Sequence, residues 1–185
     1  MKVSILCGGK SSRMQSEKGL VLYKNKPFIE HIIDAVLPIS NNIQLITNSN
    51  DYDYLAYPKI KDVVVDKGPL GGIYSALYYS ESEINLILSC DIPLISSEIV
   101  QELIDKHKAN FDVAVLKDND SIHPLIGIYS KKLIPIIKKA IDENELKMMR
   151  FIANVNGQFI PINDDKKNQF KNVNSLAELN ELNIY

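Results

Sequence analysis

Apolar residues gather in short runs at 2–7, 43–47, 62–66, 84–90, 112–116 and 124–129. Runs of this length without strict alternation predict strands covered on both faces. Between them the apolar spacing becomes helical. Residues 27–37 open on Pro27, which is at ease in a first helical turn, and carry Phe28, Ile29, Ile32, Ile33, Val36 and Leu37. Further helices are predicted over 70–80, 97–108 and 131–142, then a short strand near 158–162 and a last helix near 175–182. Ser175 and Glu178 have capping-box spacing at the start of that helix. Strand and helix in alternation predict an α/β protein: a single domain over 1–185, built as a three-layer α/β/α sandwich with a mostly parallel sheet. In such folds ligands bind beyond the carboxyl ends of the strands, at a switch in strand order.

Composition narrows the function classes. The 185 residues are 45% hydrophobic and 24% charged, with a net charge of −2, so no global positive field draws in a polyanion. A nucleic-acid partner is not expected. No apolar stretch approaches the roughly 20 residues that span a bilayer, so no membrane partner is expected either. Two cysteines, Cys7 and Cys90, each end an apolar run, as small buried hydrophobes on neighbouring strands would. With few cysteines and no signal-like start, a reduced, cytoplasmic protein is expected.

Candidate chemistry clusters at predicted strand ends. The first strand runs into Gly8 and Gly9 and then a loop carrying Lys10, Arg13 and Lys18. Successive amides in a glycine-rich loop can cradle phosphate, and these cations can neutralise a triphosphate. Neither the P-loop spacing nor Gly-x-Gly-x-x-Gly is present. The connection is long, about 17 residues, which in a compact domain is usually functional. A second cluster runs from Asp66 through Gly68, Pro69, Gly71 and Gly72: an acid expected to end the strand 62–66, then a glycine-rich helix start open to a base or sugar. Asp66 as a mere cap is the alternative. The third is Asp91, delivered by the apolar run 84–90 just before Pro93. One carboxylate with phosphate and water suffices for Mg²⁺, although a turn aspartate would look the same. Asn48, at another strand end, could bond a ribose or base. His123-Pro124 and Asn172-Val173-Asn174 are readable only as turns and caps.

In order along nearly the whole chain, these residues resemble the molybdenum cofactor guanylyltransferases, the MobA family. Leu6-Cys7-Gly8-Gly9-Lys10-Ser11-Ser12-Arg13-Met14-Gln15-Ser16-Glu17-Lys18 is similar to the family's opening signature, with Gln15 in place of a glycine and Glu17 in place of an aspartate. Gly68 to Ile73, Cys90 to Pro93 and Asn172 to Asn174 match its later motifs. The resemblance implies a Rossmann-like nucleotidyltransferase that moves GMP from GTP to the phosphate of molybdopterin with Mg²⁺ and releases pyrophosphate. It implies that Leu6, Cys7, Gly8, Gly9, Lys18, Asn48, Asp66, Gly71 and Asp91 contact GTP. Arg13, Lys18 and Asp91 would be catalytic, with Asp91 also the metal ligand, and Asn172 and Asn174 would serve the pterin substrate. GTP and a molybdopterin-type cofactor are then the substrates, with transient contacts to proteins that make or receive the cofactor. A molybdopterin cytidylyltransferase or sugar-phosphate nucleotidyltransferase is the nearest alternative, but these tend to carry Ala-Gly or Ala-Ala-Gly in place of Cys7-Gly8-Gly9. A catalytically silent nucleotide-binding protein would be free to lose Arg13, Lys18 and Asp91, all of which are present.

Overall fold

The computed structural model describes residues 1–8, 10–11 and 16–182. Seven strands form one sheet: β1 (Lys2–Leu6), β2 (Ile43–Ile46), β3 (Lys59–Ile60), β4 (Ile84–Ser89), β5 (Val113–Lys117), β6 (Ile122–Ser130) and β7 (Gly157–Pro161), in the spatial order β7-β5-β6-β4-β1-β2-β3. β6 runs antiparallel to both its neighbours, and the other pairings are parallel. The chain steps from β1 outward to β2 and β3, then returns to place β4 on the other side of β1. The switch in strand order therefore lies between β1 and β4, and the ligand crevice of the fold opens where Leu6 pairs with Ser89.

Side chains one apart on a strand face opposite layers. Val3, Ile5 and Cys7, with Leu86, Leu88 and Cys90, pack with α1 (Phe28–Val36) and α3 (Ser97–Lys106). Leu6 and Ile87 face the other way, with α2 (Gly68–Tyr79), α4 (Ile134–Asp142) and α5 (Met148–Ala153). This is the expected three-layer sandwich. Cys7 and Cys90 are free and buried at the ends of adjacent strands, as expected of small hydrophobes. Burial pushes the Cys7 thiol well up, and the neighbouring Cys90 adds to the effect, which makes it inert rather than nucleophilic.

Two departures from the sequence pattern matter. The apolar run 62–66 is not a strand: the sheet edge is Lys59–Ile60, and Val63 and Val65 are exposed in the loop that follows. Three valines suggested β structure, but the edge of the sheet has nothing to bury them against, and Asp66 turns the chain at φ +58° instead. The helix over 148–153 was unforeseen, since six residues hold too few turns for a helical period to show.

A small third cluster joins distant parts of the chain. Tyr23 and Phe28 meet Val173 and Leu179, with Val21 and Leu94 against them. Tyr23 lies on a short hairpin, Leu22–Tyr23 with Lys26–Pro27, while Leu179 belongs to α6 (Leu176–Leu182). Ser175 caps α6 by accepting from the Glu178 amide at 3.2 Å, and the Glu178 carboxylate accepts from the Asn174 amide at 2.6 Å, the reciprocal arrangement foreseen from the spacing. Val173 is thus the apolar pin that holds the segment before α6 against the sheet. Val173→Ala should lower unfolding stability by about 2 kcal/mol, seen as a lower denaturant midpoint at unchanged slope.

Candidate functional site

Asp91 lies two residues beyond the end of β4 and is buried, 7% exposed. Its Oδ2 accepts from the Lys18 ammonium and from the Asn172 side-chain amide, each at 3.3 Å. Its Oδ1 is buried and has no hydrogen-bond partner among the described residues. A carboxylate offers about four acceptor positions, and leaving one oxygen dry and unmatched is costly unless something cationic comes to it. The main chain is fixed too, since the Asp91 carbonyl accepts from the Val173 amide at 2.8 Å.

The elements around Asp91 explain why these residues meet. Lys18 starts a short 3-10 turn, Lys18–Leu20, whose Gly19 is buried. A Cβ on Gly19 would lie 2.8 Å from the Tyr52 hydroxyl and 3.3 Å from the Cys90 Cβ, so only glycine lets the turn press against the end of β4. Lys18 Nζ then reaches both Asp91 and Asn174 Oδ1, the latter at 2.5 Å. Asn172 and Asn174 flank buried Val173, so one apolar anchor places both amides at the crevice. Their role was invisible as a local pattern: the signal was the apolar residue between two asparagines, and the polar partners lie 81 residues away for Asn172 and 156 for Asn174.

The structure thus brings together Leu6, Cys7 and Gly8 at the end of β1 with Lys18, Asp91, Asn172 and Asn174. Gly8 is exposed, and a Cβ there would meet nothing within 4 Å, so its backbone is open to a ligand. Gly9 and Arg13 lie outside the described residues. Asn48, one residue beyond Thr47 at the end of β2, is exposed and bonded to Asp62: its Nδ2 donates to Oδ2 at 2.9 Å, and its Oδ1 accepts from the Asp62 amide at 3.0 Å. Asp62 carries no local signal of this role, because it opens the valine run whose β-propensity predicts a strand. Burial raises its carboxyl above the ordinary value, against the opposing hydrogen bonds from Asn48 and Ser75. Asp66 is exposed on its turn rather than at a strand end. At Gly71 a Cβ would come within 2.9 Å of the Lys67 Cβ and 3.1 Å of the Val64 carbonyl; at Gly72 it would come within 3.4 Å of Leu6. The glycine pair therefore serves first to seat α2 against its own loop and against β1.

Next to Asp91, on the β6 side, lies a hollow of about 320 Å³ lined by Ser89, Ile122, His123, Met148, Met149 and Asn172 among others. The Ser89 hydroxyl is buried and has no partner among the described residues. His123 lies three residues before Ile126, whose strand partner Leu88 lies three before Asp91, so it emerges at about the same level of the sheet. Its Nε2 is 3.0 Å from Asp118 Oδ2, and its ring meets Phe170 edge-on with centroids 4.7 Å apart. The described residues contain no group of three or more His, Cys, Asp or Glu able to hold a metal by themselves, and no described helix is long and apolar enough to cross a membrane.

Comparison with known proteins agrees with this fold. The model of the MobA-like NTP transferase domain matches residues 3–158. A probable molybdenum cofactor guanylyltransferase of Flavobacterium johnsoniae is 62% identical over 180 residues, covering 97% of this chain and 95% of its own. One from Carboxydothermus hydrogenoformans is 34% identical, covering 98% and 94%. Among solved structures, molybdopterin-guanine dinucleotide biosynthesis protein A of Archaeoglobus fulgidus superposes with a TM-score of 0.83 over 98% of this chain and 96% of its own; at 22% identity that likeness speaks for the fold. With the switch-point crevice, the carboxylate at its centre and these matches in hand, the chain belongs to the MobA-like NTP transferase family.

Proposed function

We propose that this protein is a molybdenum cofactor guanylyltransferase, joining the GMP moiety of GTP to the terminal phosphate of molybdopterin and releasing pyrophosphate. The observation that carries this is Asp91: a buried carboxylate at the strand-order switch, with one oxygen shared by Lys18 and Asn172 and the other without a partner among the described residues. Curated relatives at 62% and 34% identity, both described as probable molybdenum cofactor guanylyltransferases, support it.

The acceptor phosphate is already anionic, so the protein needs no nucleophile of its own. An acceptor oxygen attacks the α-phosphorus in line, the new P–O bond forms, and the bond to the bridging oxygen breaks with its electrons going to pyrophosphate. Positioning and charge neutralisation supply most of the rate. Gly8 and Gly9 present backbone to the nucleotide, and Lys18 and Arg13 take the charge of the leaving β- and γ-phosphates. On this reading Leu6, Cys7 and Gly71 complete the contacts to GTP. A lone buried carboxylate facing a triphosphate would repel it. The unpartnered Asp91 Oδ1 is the donor expected of a site that completes its coordination with phosphate and water, and so suits Mg²⁺. When bound there, Mg²⁺ would act as a Lewis acid on phosphoryl oxygens. Lys18 adds a further positive charge beside it.

Asp66 and Asn48 belong to the guanosine end of this scheme. A carboxylate can accept from both guanine N1–H and the exocyclic amine, which cytosine does not offer in that pairing. Asn48, held by Asp62, is suited to the ribose or base. Asn172 and Asn174 then face the acceptor while steadying Asp91 and Lys18.

With molybdopterin as acceptor, pyrophosphate release should be fastest with GTP, and equal or faster release with CTP would replace guanylyl by cytidylyl transfer. Lys18→Ala should lower kcat/KM by about one to two decades, the worth of a charge-assisted hydrogen bond to phosphate, with thermal unfolding little changed. Asp91→Asn keeps shape and removes charge; it should abolish most turnover while leaving metal-free GTP binding the same or slightly tighter by calorimetry. Full turnover of that variant at ordinary Mg²⁺ would sink the metal assignment.

A further inference from the structure

The His123–Asp118 pair is not needed for the nucleotide, yet it borders the hollow beside Asp91. Asp118 is almost wholly buried. Its Oδ1 accepts from the amides of Asp120 and Ser121 at 2.7 and 2.6 Å, and Oδ2 faces His123 Nε2 at 3.0 Å. Burial alone would raise this carboxyl, but the hydrogen bonds from His123 and the two amides prevail and hold it below its ordinary value. An ionised carboxylate has no proton to give, so Nε2 must carry the hydrogen and donate it. In the neutral ring Nδ1 is then a bare acceptor. Phe170 fixes the ring plane from the side.

The rest of the hollow indicates what that acceptor would meet. Met148 and Met149, with Ile122, give soft apolar walls suited to a flat ring. Ser89 brings an unpartnered buried hydroxyl, and Asn172 links the hollow to Asp91 through its amide. A ligand with a flat heterocycle at one end and a phosphate at the other would span the hollow with its phosphate toward Asp91.

We propose that His123, held as the Nε2–H tautomer by Asp118, is a specificity-determining residue for the acceptor: its Nδ1 accepts a hydrogen bond from a ring or exocyclic N–H of the acceptor's heterocycle, lodged against Met148 and Met149. This rests on the guanylyl-transfer reading for the identity of the acceptor, a pterin carrying a phosphate. An acceptor lacking an N–H on that edge would leave Nδ1 facing it unmatched, so the pair discriminates as well as binds.

The test uses the full chain at about pH 8. Glutamine at 123 can still donate toward Asp118, but its acceptor is a rotatable amide oxygen rather than a ring nitrogen held at the Nδ1 position. His123→Gln should raise the KM for molybdopterin about tenfold, the cost of one lost hydrogen bond with its partner left dry, while the KM for GTP stays put. Asp118→Asn, which frees the tautomer, should shift the same constant in the same direction. An unchanged molybdopterin KM in His123→Gln, or equal rises for both substrates, overturns the proposal. A second measurement does not depend on the variants folding or on turnover. The chain has three histidines, so ¹⁵N-labelled imidazole signals are few enough to assign. In the free protein Nδ1 of His123 should resonate as an unprotonated nitrogen, and it should move toward the hydrogen-bonded range on adding molybdopterin but not on adding Mg·GTP. A protonated Nδ1, or no movement with molybdopterin, also overturns it. If the wild-type protein releases no pyrophosphate from GTP and molybdopterin, guanylyl transfer fails by itself, and the ¹⁵N titration still decides whether His123 binds a pterin phosphate.

Discussion

Everything at the crevice is arranged around one awkward charge. A carboxylate at the end of a central strand, walled by apolar side chains, cannot be left to water, and its ionised form must be matched by cations and N–H donors. Lys18 and Asn172 meet one oxygen and nothing described meets the other. That imbalance is tolerable in a protein whose ligand carries its own charge and counter-ion. Buried polar groups left short of partners are uncommon in folded proteins, and here Asp91 Oδ1 and the Ser89 hydroxyl occur two residues apart. Both are at the place where the strand order reverses.

Supplying those partners draws on remote parts of the chain. The 3-10 turn with Lys18 needs glycine at 19 to approach Cys90, and the two asparagines need Val173 to pin them. The cluster of Tyr23, Phe28, Val173 and Leu179 has no chemistry, yet through Val173 it sets where the Asn172 and Asn174 side chains point. The Asp91–Val173 main-chain bond ties the same segment to β4 independently of any side chain.

The sheet was legible because continuous apolar runs and helical spacing alternate along the chain, and a core of two layers leaves few other solutions. Asp91 was legible for the same reason: the first acid after the apolar run that contains Leu86, Ile87 and Leu88 has to emerge at a strand end. The pattern failed at 62–66, where β-propensity competed with position. Val63 and Val65 lie past the last edge strand, and without a second face to cover them they remain in a loop whose working residue is Asp62. Asn172, Asn174 and His123 were recognisable only as turn and cap residues, because their meaning comes from Lys18, Asp91 and Asp118, and local spacing carries no information about such partners. The antiparallel course of β6 was likewise hidden, since its apolar run differs little from those of the parallel strands.

One contact has a consequence in time. Lys18 and Asn174, which share a hydrogen bond, are 156 residues apart. At a synthesis rate of about 5–20 residues per second, on the order of 8–30 s separate the making of the two. Throughout that interval β1 and, later, β4 can pair and bury their apolar faces, but the crevice lacks the segment that steadies its carboxylate. The nascent chain can therefore pair β1 with β4 well before it holds the segment that steadies the carboxylate between them, so that the frame of the site precedes its chemistry.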